Sequence, residues 1–134
     1  LGHTRDASPA GHAEVVIPRQ GHFHPEGRTV QMFAIKRTAR CYKQLRERYA
    51  DTGRRLHFVG HQANLLMLQK VCELCDVPPE RHRHNVEDYG NVASASLPIA
   101  LNEARKCGKI TKGSLVQLVA FGSGFVWASA LIRM

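Results

Sequence analysis

Leu56-His57-Phe58-Val59-Gly60-His61-Gln62-Ala63-Asn64 is the stretch on which the reading of this chain turns. Leu56 to Val59 has the character of a four-residue strand. From Gln62 to Cys75 the residues Leu65, Leu68, Cys72 and Cys75 recur at the three-and-four spacing of one buried helical face, with Leu66 and Leu74 flanking it. A strand running straight into a helix is the unit of an α/β layer, and His61 stands at the turn. Further on, Tyr89-Gly90-Asn91 leads into the small-residue stretch Val92-Ala93-Ser94-Ala95-Ser96. A His and an Asn at the ends of apolar segments suit two neutral hydrogen-bond donors converging on one acyl carbonyl oxygen, in the manner of an oxyanion hole. No nucleophile accompanies them.

The elements on either side fit the same layer. Ala13-Glu14-Val15-Val16-Ile17, ended by Pro18, reads as a short strand, and Arg19 to Gly27 as a loop rich in Gly, His and Pro. Val30, Phe33, Ala34, Cys41, Leu45 and Tyr49 share one face of a helix predicted from Thr29 to Tyr49, with Asp51-Thr52-Gly53 as its stop. Asp76-Val77-Pro78-Pro79 closes the helix after His61, because two prolines cannot continue it, and a polar loop leads on to Asn85 and Tyr89. Asn91 then sits at a loop-to-helix junction. A helix is predicted from Ser94 to Cys107, ended by Gly108. Leu115 to Phe121 and Val126 to Ile132 read as strands joined through Gly122-Ser123-Gly124, apolar enough for burial on both faces. The predicted fold class is α/β, in the order β-α-β-α-α-β-β, as one domain over residues 1–134.

Composition narrows the function classes. The 134 residues with 43% hydrophobic content suit one globular domain. No apolar run approaches the roughly 18 residues of a membrane span, and the N-terminal residues lack a signal peptide's apolar core, so a cytoplasmic protein without a membrane partner is expected. A start at Leu1 is what a piece of something longer would show, and processing of the N-terminus would look the same. The formal charge of +8 is spread along the chain without an aromatic platform, which argues against nucleic acid as a partner. The densest basic cluster, Lys36, Arg37, Arg40, Lys43, Arg46 and Arg48, falls on one predicted helix; it is a solvated face or a surface for an acidic partner. Cys41, Cys72, Cys75 and Cys107 lie within or at the ends of helical patterns and are expected to be reduced thiols. Cys72-x-x-Cys75 with His82 and His84 is too tightly spaced for a zinc finger, so no metal is expected.

Three blocks carry a resemblance: Val59-Gly60-His61-Gln62-Ala63-Asn64; Tyr89-Gly90-Asn91-Val92-Ala93-Ser94-Ala95-Ser96-Leu97-Pro98-Ile99-Ala100-Leu101; and Ala120-Phe121-Gly122-Ser123-Gly124-Phe125 through Trp127 to Ala130-Leu131-Ile132-Arg133. In order and spacing they resemble the C-terminal half of the ketoacyl synthase III (3-oxoacyl-acyl-carrier-protein synthase III) family, thiolase-like enzymes with a Cys-His-Asn active site. The resemblance implies one half of a thiolase-like fold. It also implies that His61 and Asn91 hold the thioester carbonyl of a malonyl donor, and that Gly122-Ser123-Gly124 corresponds to a glycine loop whose backbone N–H helps form a second oxyanion hole. Asn64 and Phe125 would support the pocket. The sequence departs from the family where Ser123 replaces the middle glycine, Val92 a usual Thr, Ala128 a usual Gly, and Leu66 a position commonly Arg and implicated in carrier-protein docking.

The function that the resemblance implies is that of a condensing-type acyltransferase half, acting in lipid metabolism on coenzyme A or acyl-carrier-protein thioesters with no other cofactor. Its nucleophilic Cys would lie outside this chain, on an N-terminal thiolase-like half. That half is one expected partner, acyl carrier protein is another, and the apolar surface between halves implies a homo- or hetero-oligomer. Two alternatives stand beside this reading: a non-catalytic structural subunit of a heteromeric synthase, and acyl transfer to an alcohol or amine without decarboxylation.

Overall fold

The computed structural model describes residues 1–11, 15–16, 18–22, 24–25, 27–49 and 56–134. The strands are β1 (Gly2–Ala7), β2 (Val15–Val16), β3 (His24–Pro25), β4 (Leu56–Gly60), β5 (Leu115–Gly122) and β6 (Val126–Arg133). The α-helices are α1 (Gly27–Tyr49), α2 (Leu65–Cys75), the single turn α3 (Val86–Tyr89) and α4 (Ser96–Lys106). Four strands form one sheet in the order β1-β6-β5-β4; β4 runs parallel to β5, while β5–β6 and β6–β1 are antiparallel. β2 and β3 pair separately.

The fold class is α/β, as the sequence indicates, but the order β-α-β-α-α-β-β needs three additions. Strand β1 is the first: Gly-His-Thr-Arg-Asp-Ala has no apolar alternation, and it is held at the sheet edge by its backbone register with β6, Gly2 opposite Leu131 and Ala7 opposite Val126. The other two, β3 and α3, lie in stretches whose composition reads as loop. Of the strand predicted at Ala13 to Ile17, Val15–Val16 is observed; residues 13, 14 and 17 lie outside the described residues, as does the predicted helix stop Asp51-Thr52-Gly53.

Strand alternation sends β4 side chains to two cores. Phe58 packs with α1 and α2, in a cluster that includes Ala34, Ile35, Tyr42, Met67, Leu68 and Val71. Val59 faces the other way, with Ala100 and Ala104 of α4, Ile110 and Val116. Helices α1 and α2 therefore cover one face and α4 the other. Expected burial of β5 and β6 on both faces holds only in part. Trp127, Ser129 and Leu131 of β6 are buried toward α1, but Val126 and Ala128 on its opposite face are exposed, as is Ala120 of β5, because α4 lies over β4 and does not reach that far. Gln117 sits fully buried amid these apolar strands; its Nε2 donates to Cys41 O of α1 and to Ser129 Oγ of β6, both at 3.1 Å.

The basic face of α1 is mostly solvated, though three of its arginines also reach neighbouring groups, Arg48 lying over the Tyr49 ring at 6.0 Å from its centroid. The Arg37 guanidinium lies over the rings of Phe33 and Trp127, at 5.0 and 4.7 Å from their centroids, and Arg46 donates to Cys75 O at 3.0 Å, tying α1 to the end of α2.

Two measurements test this packing. A Cβ on Gly60 would stand 2.6 Å from Leu68 Cδ2 and 2.9 Å from Phe58 Cζ. Gly60→Ala should therefore lower stability by about 1–3 kcal/mol in urea unfolding; an unchanged midpoint would show that this contact is loose. His82 is buried, stacked on Phe58 at 5.7 Å, and burial first, then His84, pulls its pKa down to about 4. The unfolded chain binds that proton near pH 6.5 and the folded chain does not, so stability falls as pH drops from about 6.5 toward 4. Thermal unfolding across that window should show the loss in the parent and a flatter profile in His82→Phe.

Candidate active site

His61 comes directly after β4 and extends its pairing by one step, donating its backbone N–H to Val119 O at 2.8 Å. Its imidazole meets the Phe121 ring edge-on, with centroids 4.9 Å apart and an interplanar angle of 85°. The ring is half-buried, and burial pushes its pKa below the ordinary histidine value. At neutral pH it is thus an uncharged imidazole with one N–H donor.

The next residue, Gln62, does not begin the helix as its apolar spacing predicts. It is fully buried, its Nε2 donates back to Gly60 O at 2.7 Å, and its Oε1 accepts the backbone N–H of Asn85 at 3.0 Å. The helix starts at Leu65 instead, with Asn64 as N-cap: Asn64 Oδ1 accepts from Met67 N at 3.3 Å. Asn64 therefore caps the helix that follows the turn carrying His61.

Gln62 also fixes the approach to Asn91. Asn85 precedes α3, and its Nδ2 donates to Glu103 Oε2 on α4 at 2.7 Å; Tyr89 Oη donates to Glu103 Oε1 at 2.6 Å. Gly90 comes next with φ 65° and ψ −158°, a conformation essentially confined to glycine. Asn91 is exposed, and its side-chain atom facing the Ala93 N–H at 3.0 Å must be Oδ1, since only an acceptor can pair with that donor. The Nδ2 hydrogens of Asn91 consequently point away from that bond and have no bonding partner among the described residues. Ala93 holds the left-handed region at φ 52°, a strained setting for a residue with a Cβ. The oxygen of Asn91 and the Ala95-to-Val92 backbone bond at 3.2 Å hold it there.

The hairpin between β5 and β6 begins beside Phe121, the residue against the His61 ring. Gly122 pairs with Val126, leaving Ser123, Gly124 and Phe125 as the turn. Positive φ falls on Gly124 (78°) and Phe125 (41°), not on Ser123, so serine in the middle of the glycine loop does not occupy the position that needs a missing Cβ. Phe125 is buried and stacked on Phe33, centroids 4.0 Å apart, while its carbonyl accepts from Ser8 N at 2.8 Å. It anchors the turn from within the core.

His61 and the Gly122-Ser123-Gly124 turn thus open on one edge of the sheet, the C-terminal end of β4 and β5, while Asn91 follows the one-turn helix whose start, Asn85, is bonded to Gln62. The residues that sequence reasoning missed are Gln62, Asn85, Tyr89 and Glu103. Asn85 before Val86-Glu87-Asp88 is a helix-start pattern, an Asn with acids after it, and could have located α3. A cleft of about 700 Å³ lined by Asn102, Arg105, Lys106, Ile110, Thr111, Lys112 and Met134 lies at the opposite end of the sheet, away from these residues. The cysteines offer no activated thiol near them. Burial pushes Cys72 up to about 12 and Cys75 to about 11 and raises Cys41, while Cys107 caps the C-terminal end of α4. Cys75 Sγ donates to Ala39 O at 3.7 Å, and among the described residues no three of His, Cys, Asp and Glu gather as a metal site.

Comparison with known proteins places this edge in context. Residues 51–134 match the family described as 3-Oxoacyl-[acyl-carrier-protein (ACP)] synthase III C terminal. The chain belongs to this family. The beta-ketoacyl-[acyl-carrier-protein] synthase III of Campylobacter fetus subsp. fetus is 38% identical over 111 residues, which is 82% of this chain and 34% of that protein. The enzyme of the same name from Desulfotalea psychrophila is 36% identical over 84% of this chain and 35% of its own length. Among solved structures, the synthase III of Thermus thermophilus superposes with a TM-score of 0.89 at 34% identity, covering 98% of this chain and 45% of that one. That of Aquifex aeolicus superposes at 0.93 with 27% identity, over 100% and 44%. The chain spans about a third of the length of the curated relatives it matches, and its fold is one half of a thiolase-like fold.

The electrostatics of His61 can be measured directly. NMR titration of the His61 ring carbons should give a midpoint below 6.5 and a neutral ring at pH 7; a midpoint at or above 6.5 would contradict it.

Proposed function

We propose that this chain is the half of a condensing-type acyltransferase that activates a malonyl thioester, carried on coenzyme A or acyl carrier protein, for decarboxylative condensation in fatty acid synthesis. The observation that carries the reading is the pairing, within this family, of a neutral half-buried His61 with an Asn91 whose Oδ1 is engaged by the backbone and whose amide hydrogens are left to donate.

Loss of carbon dioxide from a malonyl thioester leaves its electron pair as an enolate, with negative charge growing on the thioester oxygen. Two neutral donors aimed at that oxygen stabilise the charge as it develops, and each such donor contributes about 3–4 kcal/mol. A charged His61 would bind the ground state more tightly as well and gain less. The enolate carbon then attacks the carbonyl of an acyl group held on a cysteine; the new carbon–carbon bond forms, the carbon–sulfur bond breaks and the thiolate departs with its electron pair. The cysteine lies outside this chain: the thiols of Cys41 and Cys75, which are buried, and of Cys72, which is partly so, are held protonated, and a thiolate at Cys107 would face the negative end of the α4 dipole. Backbone N–H groups of the Gly122-Ser123-Gly124 turn would face the acylated cysteine.

An N-terminal thiolase-like half carrying that cysteine is the proposed partner within a homo- or hetero-oligomer. The exposed apolar strip of Ala120, Val126 and Ala128 beside α4 supports it, since such a strip asks for a cover. Leu66, the second residue of α2 and 69% exposed, offers no charge to an acidic carrier protein, which favours coenzyme A as the donor's carrier. No helix among the described residues is long and apolar enough to cross a membrane, in keeping with a cytoplasmic enzyme.

The test is malonyl-coenzyme A decarboxylation by the complete enzyme that carries this chain. His61→Ala and Asn91→Ala should each lower kcat by about a hundredfold to a thousandfold, with the thermal midpoint retained. Parent rates in both variants would leave a structural subunit as the reading.

A further inference from the structure

The chemistry proposed for His61 and Asn91 requires that two loops from different parts of the chain be held in fixed relation, and one continuous set of hydrogen bonds joins them. It runs from Gly60 O to Gln62 Nε2, from Gln62 Oε1 to Asn85 N, from Asn85 Nδ2 to Glu103 Oε2, and from Glu103 Oε1 to Tyr89 Oη. Its first link is the residue before His61 and its last lies two residues before Asn91. Gln62 and Asn85 are buried, so their polar atoms cannot exchange these partners for water without opening the structure. Glu103 takes both bonds on one carboxylate, and those bonds, Tyr89 first and then Asn85, hold its pKa below the usual carboxylate value. It stands on α4, the helix that Asn91 leads into, so α3 is clamped at both ends: Asn85 before it and Tyr89 at its last residue.

We propose that Gln62, Asn85, Glu103 and Tyr89 are positioning residues that set the separation of the His61 and Asn91 donors, with Glu103 as the common anchor. Neither Glu103 nor Tyr89 packs in the core, so the strap is distinct from the packing that stabilises the sheet. The inference rests on the donor roles proposed above for His61 and Asn91.

The experiment uses the complete enzyme that carries this chain, with malonyl-coenzyme A as the probe. Glu103→Ala should lower kcat for decarboxylation by about tenfold to a hundredfold while KM and the thermal midpoint stay near the parent's, since a small misplacement of a donor costs rate far more than binding. Glu103→Gln should recover most of the rate: its oxygen accepts from Asn85 and its N–H donates to the Tyr89 hydroxyl, which can accept. Tyr89→Phe, which removes only the outer bond, should give a smaller fall. In Glu103→Ala, hydrogen exchange should also quicken at the Gly90 amide, bonded to Val86 O at 2.9 Å, and not in β5.

A Glu103→Ala enzyme with the parent kcat would overturn the inference. So would a loss of rate that tracks a fall in thermal midpoint and is not recovered by Gln. His61→Ala assayed alongside separates the two levels: if it too keeps the parent rate, the donor reading itself has failed; if it is inactive while Glu103→Ala is not, only the strap has.

Discussion

A buried carboxamide holds the functional edge of this protein together. Gln62 has no exposed surface, and its donor and its acceptor are each matched to a backbone group, Gly60 O and Asn85 N. Stranding either partner in the interior would cost about 1–3 kcal/mol, so the turn after β4 and the segment before α3 are tied to one another through this one side chain. His61 is directed by its own backbone bond to Val119 and by the amide beside it, and Asn91 by a one-turn helix whose start is pinned to the same side chain.

The sheet supplies the second constraint. Parallel pairing of β4 with β5 brings Gly60 level with Val119, so the loop after β4 and the hairpin after β5 open on the same edge. Ligands of α/β sheets gather at the carboxyl ends of strands because the loops there are free of the packing that fixes the strands themselves. The two faces of the sheet are covered unequally: α1 and α2 close one, while α4 closes only part of the other and leaves Ala120, Val126 and Ala128 in contact with solvent.

Much of this is legible in the residues. The apolar spacing in α1, α2 and α4 and the dense apolar runs of β5 and β6 stand out because side-chain burial repeats with the period of the element. His61 and Asn91 are marked by the short segments around them. The hidden features depend on backbone pairing or on contacts distant in sequence. Strand β1 has no apolar pattern, since an edge strand can be held by its ladder to β6 alone. Gln62 looks like the first residue of a helix until Asn85, far along the chain, is seen to bond to it. Ser123 looks like a defect in a glycine loop until the positive φ values are found on Gly124 and Phe125, the latter held in place by its stack on Phe33.

Electrostatically the site is built from neutral groups. Burial keeps the His61 imidazole uncharged, and Asn91 has no charge to lose, so the edge suits a charge that appears only during reaction. The most direct measurement is a crystal structure of the complete enzyme with a malonyl thioester analogue that cannot decarboxylate. The prediction is one thioester oxygen about 2.7–3.1 Å from both a His61 ring nitrogen and Asn91 Nδ2. An analogue bound with that oxygen facing solvent, or facing only one of the two side chains, would contradict it.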